Sequence, residues 1–247
     1  KCIGIEPCSN LAKLTQNKGY QTYDVYWNFK TVKKLKKKFK NIDLIYSANT
    51  ITHISNLDDV FKSISYILSD NGIIIIEDPS LLECLKKVSY DQFYNEHIYV
   101  FSAISLKNIL KKYSLEIFDI KNLSTHGGSL RYYIKRKGNK KFRISSSVKK
   151  QLFKEKKYEL NNYKTYKNFS NSAKKSKESL NKILEKIKND NKKIIGYGAT
   201  AKATTVLNYC NIDNNFIDFF VDTTPDKKDR FMPGKKIKIL KYNQNIL

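Results

Sequence analysis

The sequence predicts an α/β fold, with a doubly wound sheet in its first half and a smaller α/β unit at its end. Three observations predict it. Short apolar runs alternate with segments of helical periodicity from the first residues to about residue 136. The run IIIIE, after the turn residues Asp70-Asn71-Gly72, reads as a parallel strand covered on both faces. Near the end, KKIIGYGATAKATTVLNYC and NFIDFFVD read as strand, glycine turn, helix and second strand.

The elements follow in order. KCIGIE ends as a strand, and Ser9 to Asn17 forms a helix closed by Gly19. TVKKLKKKFK suits an exposed helix, and IDLIYSA a buried strand. From Leu57 to Leu68 the apolar residues Leu57, Val60, Phe61, Ile64, Ile67 and Leu68 recur at helical spacing. Ser105 to Tyr113 is a further helix, and LEIFDI and SLRYYIK are two later strands. From about Ser145 to Asn191, Lys, Glu, Asn and Tyr at helical spacing predict one or two amphipathic helices. A disordered linker is the alternative on composition alone. The expected domains are therefore 1–142 and 143–247, the second with a helical lead-in (145–191) and an α/β unit (192–247).

With 247 residues and 40% hydrophobic content, the chain can bury a real core. It has no run of about 20 apolar residues, so no membrane-spanning helix is expected. KCIGIEPCSN has no signal-peptide h-region, and the expected location is cytoplasmic. A formal net charge of +24 raises the question of nucleic acid. However, the arginines, the better forks for phosphate, are confined to Arg131, Arg136, Arg143 and Arg230. The lysines are scattered among Ile, Asn and Tyr, so they read as solvated faces with no nucleic-acid partner. Cys2, Cys8, Cys84 and Cys210 form no CxxC pair and no zinc spacing. They are expected as reduced thiols, with no metal site in this chain.

Four segments carry chemistry. In GIEP, Glu6 ends a strand, where an acid can accept both hydroxyls of a cofactor ribose, or simply favour a helix N-terminus. SANTITHI follows the buried strand, so Asn49 and His53 stand at a strand's carboxyl end, where open α/β sheets bind ligands. A lone histidine is otherwise a structural residue. YDQFYNEHIYVFS sets Glu96 and His97, one of three histidines, inside a run of aromatic rings. It is either a wet loop over apolar surface or the wall of a pocket that needs a base. THGGSLR holds His126 beside paired glycines, which admit a close ligand or make a plain turn.

In order along the chain, GIEP, ANxxxHI, IIIIEDP, YNEHIYVFS, HGGSLR, GYGATAK, VDTTPDK and MPGKKIKI resemble one family. It is that of the S-adenosylmethionine-dependent sugar C-methyltransferases, which methylate a ring carbon of nucleotide-linked keto-deoxysugars. The resemblance covers nearly the whole chain. It implies a Rossmann-like class I methyltransferase domain over 1–142 and a C-methyltransferase C-terminal domain over 143–247. S-adenosylmethionine is the implied cofactor and a nucleotide sugar the implied substrate. By the same resemblance Glu6 is the ribose acid, and Asn49 lies near the cofactor's methionine end. His53, Tyr94, Glu96 and His97 surround the reacting carbon, with His97 in the place of the general base. His126 and Arg131 are expected to bind substrate, and Gly198 and Lys202 its nucleotide. The family writes Tyr-His-Glu-His where this chain has Tyr94-Asn95-Glu96-His97, so Asn95 is a departure at a non-catalytic position.

The chemistry agrees with these residue types. A carbon next to a ketone becomes a nucleophile only after losing a proton, and histidine has the pKa for that task. Tyr94 and Glu96 could orient the sugar or hold the enolate oxygen while aromatic rings exclude water.

The family begins with a cysteine-rich zinc-binding domain, then a first strand and a glycine-rich cofactor loop. None of these precedes GIEP, and MPGKKIKIL continues in the family into further elements. The expectation is a piece of a longer protein, with zinc only in the absent N-terminal domain and a sheet without its central first strand. Two rival readings remain. Gly196, Gly198 and Ala201 fit G-x-G-x-x-A, and Asp222 ends the next strand, as in an NAD(P)-binding oxidoreductase. The net charge suggests an RNA-associated methyltransferase. Neither accounts for YNEH, HGGSLR and GIEP together.

Overall fold

The computed structural model describes residues 2–244; Lys1 and residues 245–247, the outer ends of the two expected domains, lie outside the described residues. The chain opens with β1 (Gly4–Ile5), α1 (Ser9–Asn17), β2 (Thr22–Tyr23) and α2 (Phe29–Phe39). Next come β3 (Ile42–Ala48), α3 (Leu57–Ile67), β4 (Leu68–Pro79) and α4 (Leu81–Lys86). α5 (Ala103–Lys111), β5 (Leu115–Leu123), β6 (Ser129–Arg136) and α6 (Ser146–Lys157) follow. The last elements are α7 (Tyr163–Asn189), β7 (Ile195–Tyr197), α8 (Ala201–Cys210), β8 (Phe219–Asp222) and β9 (Ile239–Lys241).

Contacts divide the chain into two compact units, Lys1–Ser80 with Ile98–Lys157 and Leu81–His97 with Tyr158–Leu247. This division differs from the sequence boundary at 142/143, and each crossing has a local cause. Helix α6 stays with the first unit because its fully buried Glu155 accepts the N–H groups of Ala103 at 2.8 Å and Ile104 at 2.9 Å. A carboxylate satisfies orphan donors and complements the dipole at the N-terminus of α5. The stretch before His97 joins the second unit through its rings. Tyr90 stands 4.9 Å from the Tyr209 ring, its hydroxyl 3.5 Å from Cys210 Sγ, while Leu82 and Leu85 pack with Leu160.

The first unit is α/β with two sheets. β1 and β2 pair in parallel, and a separate four-stranded sheet runs β3-β4-β6-β5. β4 is parallel to β3 but antiparallel to β6, so the isoleucine run lies in a mixed sheet. Its Ile74 and Ile76 are fully buried, whereas Ile73 and Ile75 are half-buried. Asp70-Asn71-Gly72, expected as a turn before the strand, lies inside β4 as an irregularity of pairing: Ile42 faces Leu68, but Leu44 faces Ile73. The core joins Ile74, Ile76, Leu130, Tyr132 and Ile134 of the sheet to Val60, Phe61 and Ile64 of α3 and Leu106 and Leu110 of α5. Each large side chain buried this way contributes about 1.5–3 kcal/mol. Helix starts are set by side chains: Asn28 caps Thr31 at 2.8 Å on α2, and Asn56 caps Asp59 at 3.0 Å on α3.

The second unit builds a parallel sheet, β7-β8-β9, against α8. The expected lead-in is helical, and α7 sends Leu184 into the core of Leu207, Ile217, Phe220 and Met232. Among the described residues, no helix is long and apolar enough to cross a membrane.

Candidate active site

In the first unit the expected residues gather at the carboxyl ends of β3 and β4. Asn49 follows β3 with φ of 50°, its N–H donating to the Glu77 carbonyl at 2.7 Å. Its side-chain Oδ1 is buried with no hydrogen-bond partner among the described residues. His53 closes the short 3-10 turn Ile51–His53 and is exposed, whereas Thr52 beside it is buried. Arg131 sits directly across from Glu77 in the β4–β6 ladder. Its Nε and Nη2 both donate to Glu77 Oε2, at 3.0 and 2.8 Å, so the guanidinium is engaged within the sheet. His126 lies at φ of 53° in the turn Thr125–Gly127, and Gly128 accepts the Ser80 N–H at 3.0 Å. That bond ties the HGG loop to the end of β4. At the end of β1, Glu6 Oε1 accepts the Cys8 N–H at 2.8 Å.

In the second unit Tyr94 and His97 form a pair. The Tyr94 hydroxyl lies 2.7 Å from His97 Nε2, and His97 Nδ1 lies 2.8 Å from the Gln92 carbonyl. A carbonyl oxygen only accepts, so Nδ1 carries a hydrogen; in the neutral imidazole Nε2 would then turn its lone pair to the tyrosine. The local backbone favours this, since the His97 N–H donates to Tyr94 O at 2.9 Å and brings the two rings to 4.0 Å. Burial raises the Tyr94 pKa, with the charges of Glu96 and Asp91 adding to the rise. The phenol therefore keeps its proton at neutral pH. Glu96 itself is exposed.

The two glycines of GYG differ in purpose. A Cβ on Gly196 would meet the Phe220 ring at 2.4 Å, so this glycine serves strand packing. Gly198 has φ of 85°, and a Cβ there would meet nothing closer than Thr200 Cγ2 at 3.9 Å. The open space belongs to a hollow of about 260 Å³ lined by Tyr197, Gly198, Thr200, Asp222, Thr224 and Lys227. Lys202 does not line it. Its charge acts instead on the buried Cys84 thiol, which burial pushes up to about 12 and Lys202 partly offsets. Asp222 accepts the N–H groups of Thr224 and Ala199, each at 2.8 Å, and Lys227 Nζ at 3.0 Å.

Sequence reasoning passed over Glu77, Asp78, Thr52 and Lys227. The signal for the first two was present, since acids directly after a buried apolar strand stand at the crevice end of the sheet. Lys227 had none beyond its place in a charged turn. Among the described residues, no group of three or more His, Cys, Asp or Glu could hold a metal ion.

A family described as a methyltransferase domain matches residues 1–119, and one described as a C-methyltransferase C-terminal domain matches residues 124–246. The chain is 25% identical over 239 residues to the C-methyltransferase NovU of Streptomyces niveus, covering 97% of this chain and 57% of that protein. It thus spans little more than half the length of this curated relative. Similar solved structures include an O-methyltransferase of a polyketide synthase from Brevibacillus brevis, bound to S-adenosyl-L-homocysteine. That one is 14% identical, with a TM-score of 0.42 over 70% of this chain and 69% of that one. Another is a SAM-dependent methyltransferase from Thermotoga maritima, 17% identical, with a TM-score of 0.40 over 55% of this chain and 72% of that one.

Proposed function

Because the chain belongs to the S-adenosylmethionine-dependent C-methyltransferases, with a methyltransferase domain followed by the family's C-terminal domain, we propose that it methylates a ring carbon of a nucleotide-linked keto-deoxysugar. The observation that carries this reading is the Tyr94–His97–Gln92 chain, in which the Gln92 carbonyl holds Nδ1 and leaves Nε2 against the Tyr94 hydroxyl. His97 receives the proton from the carbon next to the ketone, and the Tyr94 hydroxyl relays it because it already occupies the lone-pair direction of Nε2. The C–H electron pair stays on the substrate as an enolate. His53, in the first unit, and Glu96, in the second, are each proposed as contacts of the substrate sugar.

Two residues suit the cofactor. Glu6 has one carboxylate oxygen taken by Cys8, and the other would accept from a ribose hydroxyl. The buried, unpartnered Asn49 Oδ1 would accept from the ammonium of the methionine end. S-Adenosylmethionine, when bound, supplies a methyl group on a sulfonium, which a carbon nucleophile takes in an in-line displacement.

His126 and the hollow at Gly198 are proposed for the substrate, with Tyr197 and Thr200 as further contacts for its nucleotide. Arg131 would act through Glu77 rather than alone. The oxidoreductase reading loses support at Asp222, whose oxygens are already engaged by Thr224 and Lys227 of the following turn and by the Ala199 N–H, and so do not suit a ribose.

The test is direct. The full-length protein is incubated with methyl-labelled S-adenosylmethionine and a panel of nucleoside-diphosphate keto-deoxyhexoses. Label on a ring carbon, resistant to hydrolysis, is the expected result. Label on oxygen or nitrogen, or none with any keto sugar, would overturn it.

A further inference from the structure

Asp78 is an acid in an apolar row. Alternate residues of a strand share a face, so Ile74, Ile76 and Asp78 form one stripe on β4. The two isoleucines are fully buried, and the carboxyl continues the row at 1% exposure. Across the antiparallel pair, Leu130 faces Asp78 and Tyr132 faces Ile76, so Tyr132 stands on this same buried face. Asp78 Oδ1 takes one long hydrogen bond, from Thr52 Oγ1 at 3.4 Å. Among the described residues, Asp78 Oδ2 and the Tyr132 hydroxyl have no hydrogen-bond partner.

Among the described residues, the groups around Asp78 offer it no counter-charge. Glu77, next to it on β4, is an acid and is bound to Arg131. Glu155 of α6 faces Tyr132 and is occupied by the N-terminus of α5 and by Gln151. Thr52 and Tyr132 are neutral donors. Burial accordingly pushes the Asp78 carboxyl up to about 7; Glu77 adds to the rise and the Thr52 bond opposes it. Thr52 in turn belongs to the 3-10 turn that ends in His53, and its carbonyl accepts the Tyr99 N–H at 3.2 Å.

We propose that Asp78 is a positioning residue which, in its neutral form, anchors through Thr52 the turn that carries His53. The proposal rests on the functional reading above only for what His53 touches. The physical consequence is independent of it. A carboxylate formed at this place has one weak donor, and a buried charge without partners is strongly unfavourable. Ionisation draws Thr52 inward, and His53 moves with the same turn. Its placement therefore changes across the neutral pH range.

The experiment is a pH titration of the full-length protein by nuclear magnetic resonance. Aspartate carboxyls labelled with carbon-13 and the backbone amides of Thr52 and His53 are followed in the parent, Asp78→Asn and Thr52→Val. One carboxyl is expected to titrate at about 7 and to be absent from Asp78→Asn. The Thr52 and His53 amides should follow that midpoint in the parent but not in Asp78→Asn. Thr52→Val should keep the high carboxyl midpoint and uncouple the His53 amide. An Asp78 midpoint of about 4, the ordinary aspartate value, or amides that ignore it, would overturn the proposal. If Asp78→Asn fails to fold, the parent and Thr52→Val titrations decide by the same criteria. No readout depends on methyl transfer, so an inactive protein would sink the functional reading and leave this test intact.

Discussion

Asp78, next to last in β4, and Asp222, the last residue of β8, stand near strand ends, one in each unit, and both are buried, at 1% and 8% exposure. Their protonation differs widely: Asp78 is pushed up to about 7, and Asp222 is held at about 2. Burial is the largest influence on both and raises both. At Asp222 it is overcome by the N–H groups of Thr224 and Ala199 and by Lys227, whereas Asp78 has Thr52 alone and the adverse charge of Glu77. At Asp222, then, the donors within reach outweigh burial, and at Asp78 they do not. The same difference separates two uses. Asp222 is committed to shaping its own turn, while Asp78 can hold and release a proton.

The larger effect belongs to Asp78. Its folded pKa exceeds the unfolded value, so the folded state binds the proton more tightly between about pH 4 and pH 7. Stability falls as pH rises through that window and levels off above it. The full shift corresponds to about 4 kcal/mol, an upper figure. Asp78→Asn should remove this slope, so that denaturant unfolding shows the variant gaining on the parent between pH 5 and pH 8. An equal gap at both pH values would break the comparison.

For Asp222 the sign reverses. Its folded pKa is depressed, so it stabilises the fold above about pH 4 and the gain is lost as pH falls through about 2. Asp222→Asn should cost about 2 kcal/mol at pH 7, shrinking towards nothing near pH 2. Thermal unfolding of the full-length protein against pH measures it. A loss that persists undiminished in acid would mean that the side chain acts by shape and not by charge.

Much of this was legible in the sequence. The periodicity of Leu57 to Leu68 and the closing Gly19 after Ser9–Asn17 placed α3 and α1 closely, because local spacing and glycine chemistry set them. β9 escaped notice because three residues in a lysine-rich tail become a strand only by pairing with β8. The attachment of α6 to the first unit was hidden too, since it depends on one acid, Glu155, reaching residues about fifty positions away. Gly196 and Gly198 look equivalent in the sequence, yet one accommodates the Phe220 ring and the other opens a hollow. The motif marked out Tyr94 and His97; which nitrogen holds the proton depended on the Gln92 carbonyl, whose reach no spacing reveals. Asp78 was the avoidable omission, an acid in step with Ile74 and Ile76.

The central claim is that His97 takes the proton from the substrate carbon. The measurement is deuterium uptake from solvent at the carbon next to the ketone, with the full-length protein, its keto-sugar substrate and S-adenosylhomocysteine in place of the methyl donor. His97→Asn should exchange more slowly by about 10²–10⁴-fold, the usual contribution of a positioned base, and Tyr94→Phe should also slow the exchange. Exchange by His97→Asn at the parent rate would contradict the claim and assign the base elsewhere.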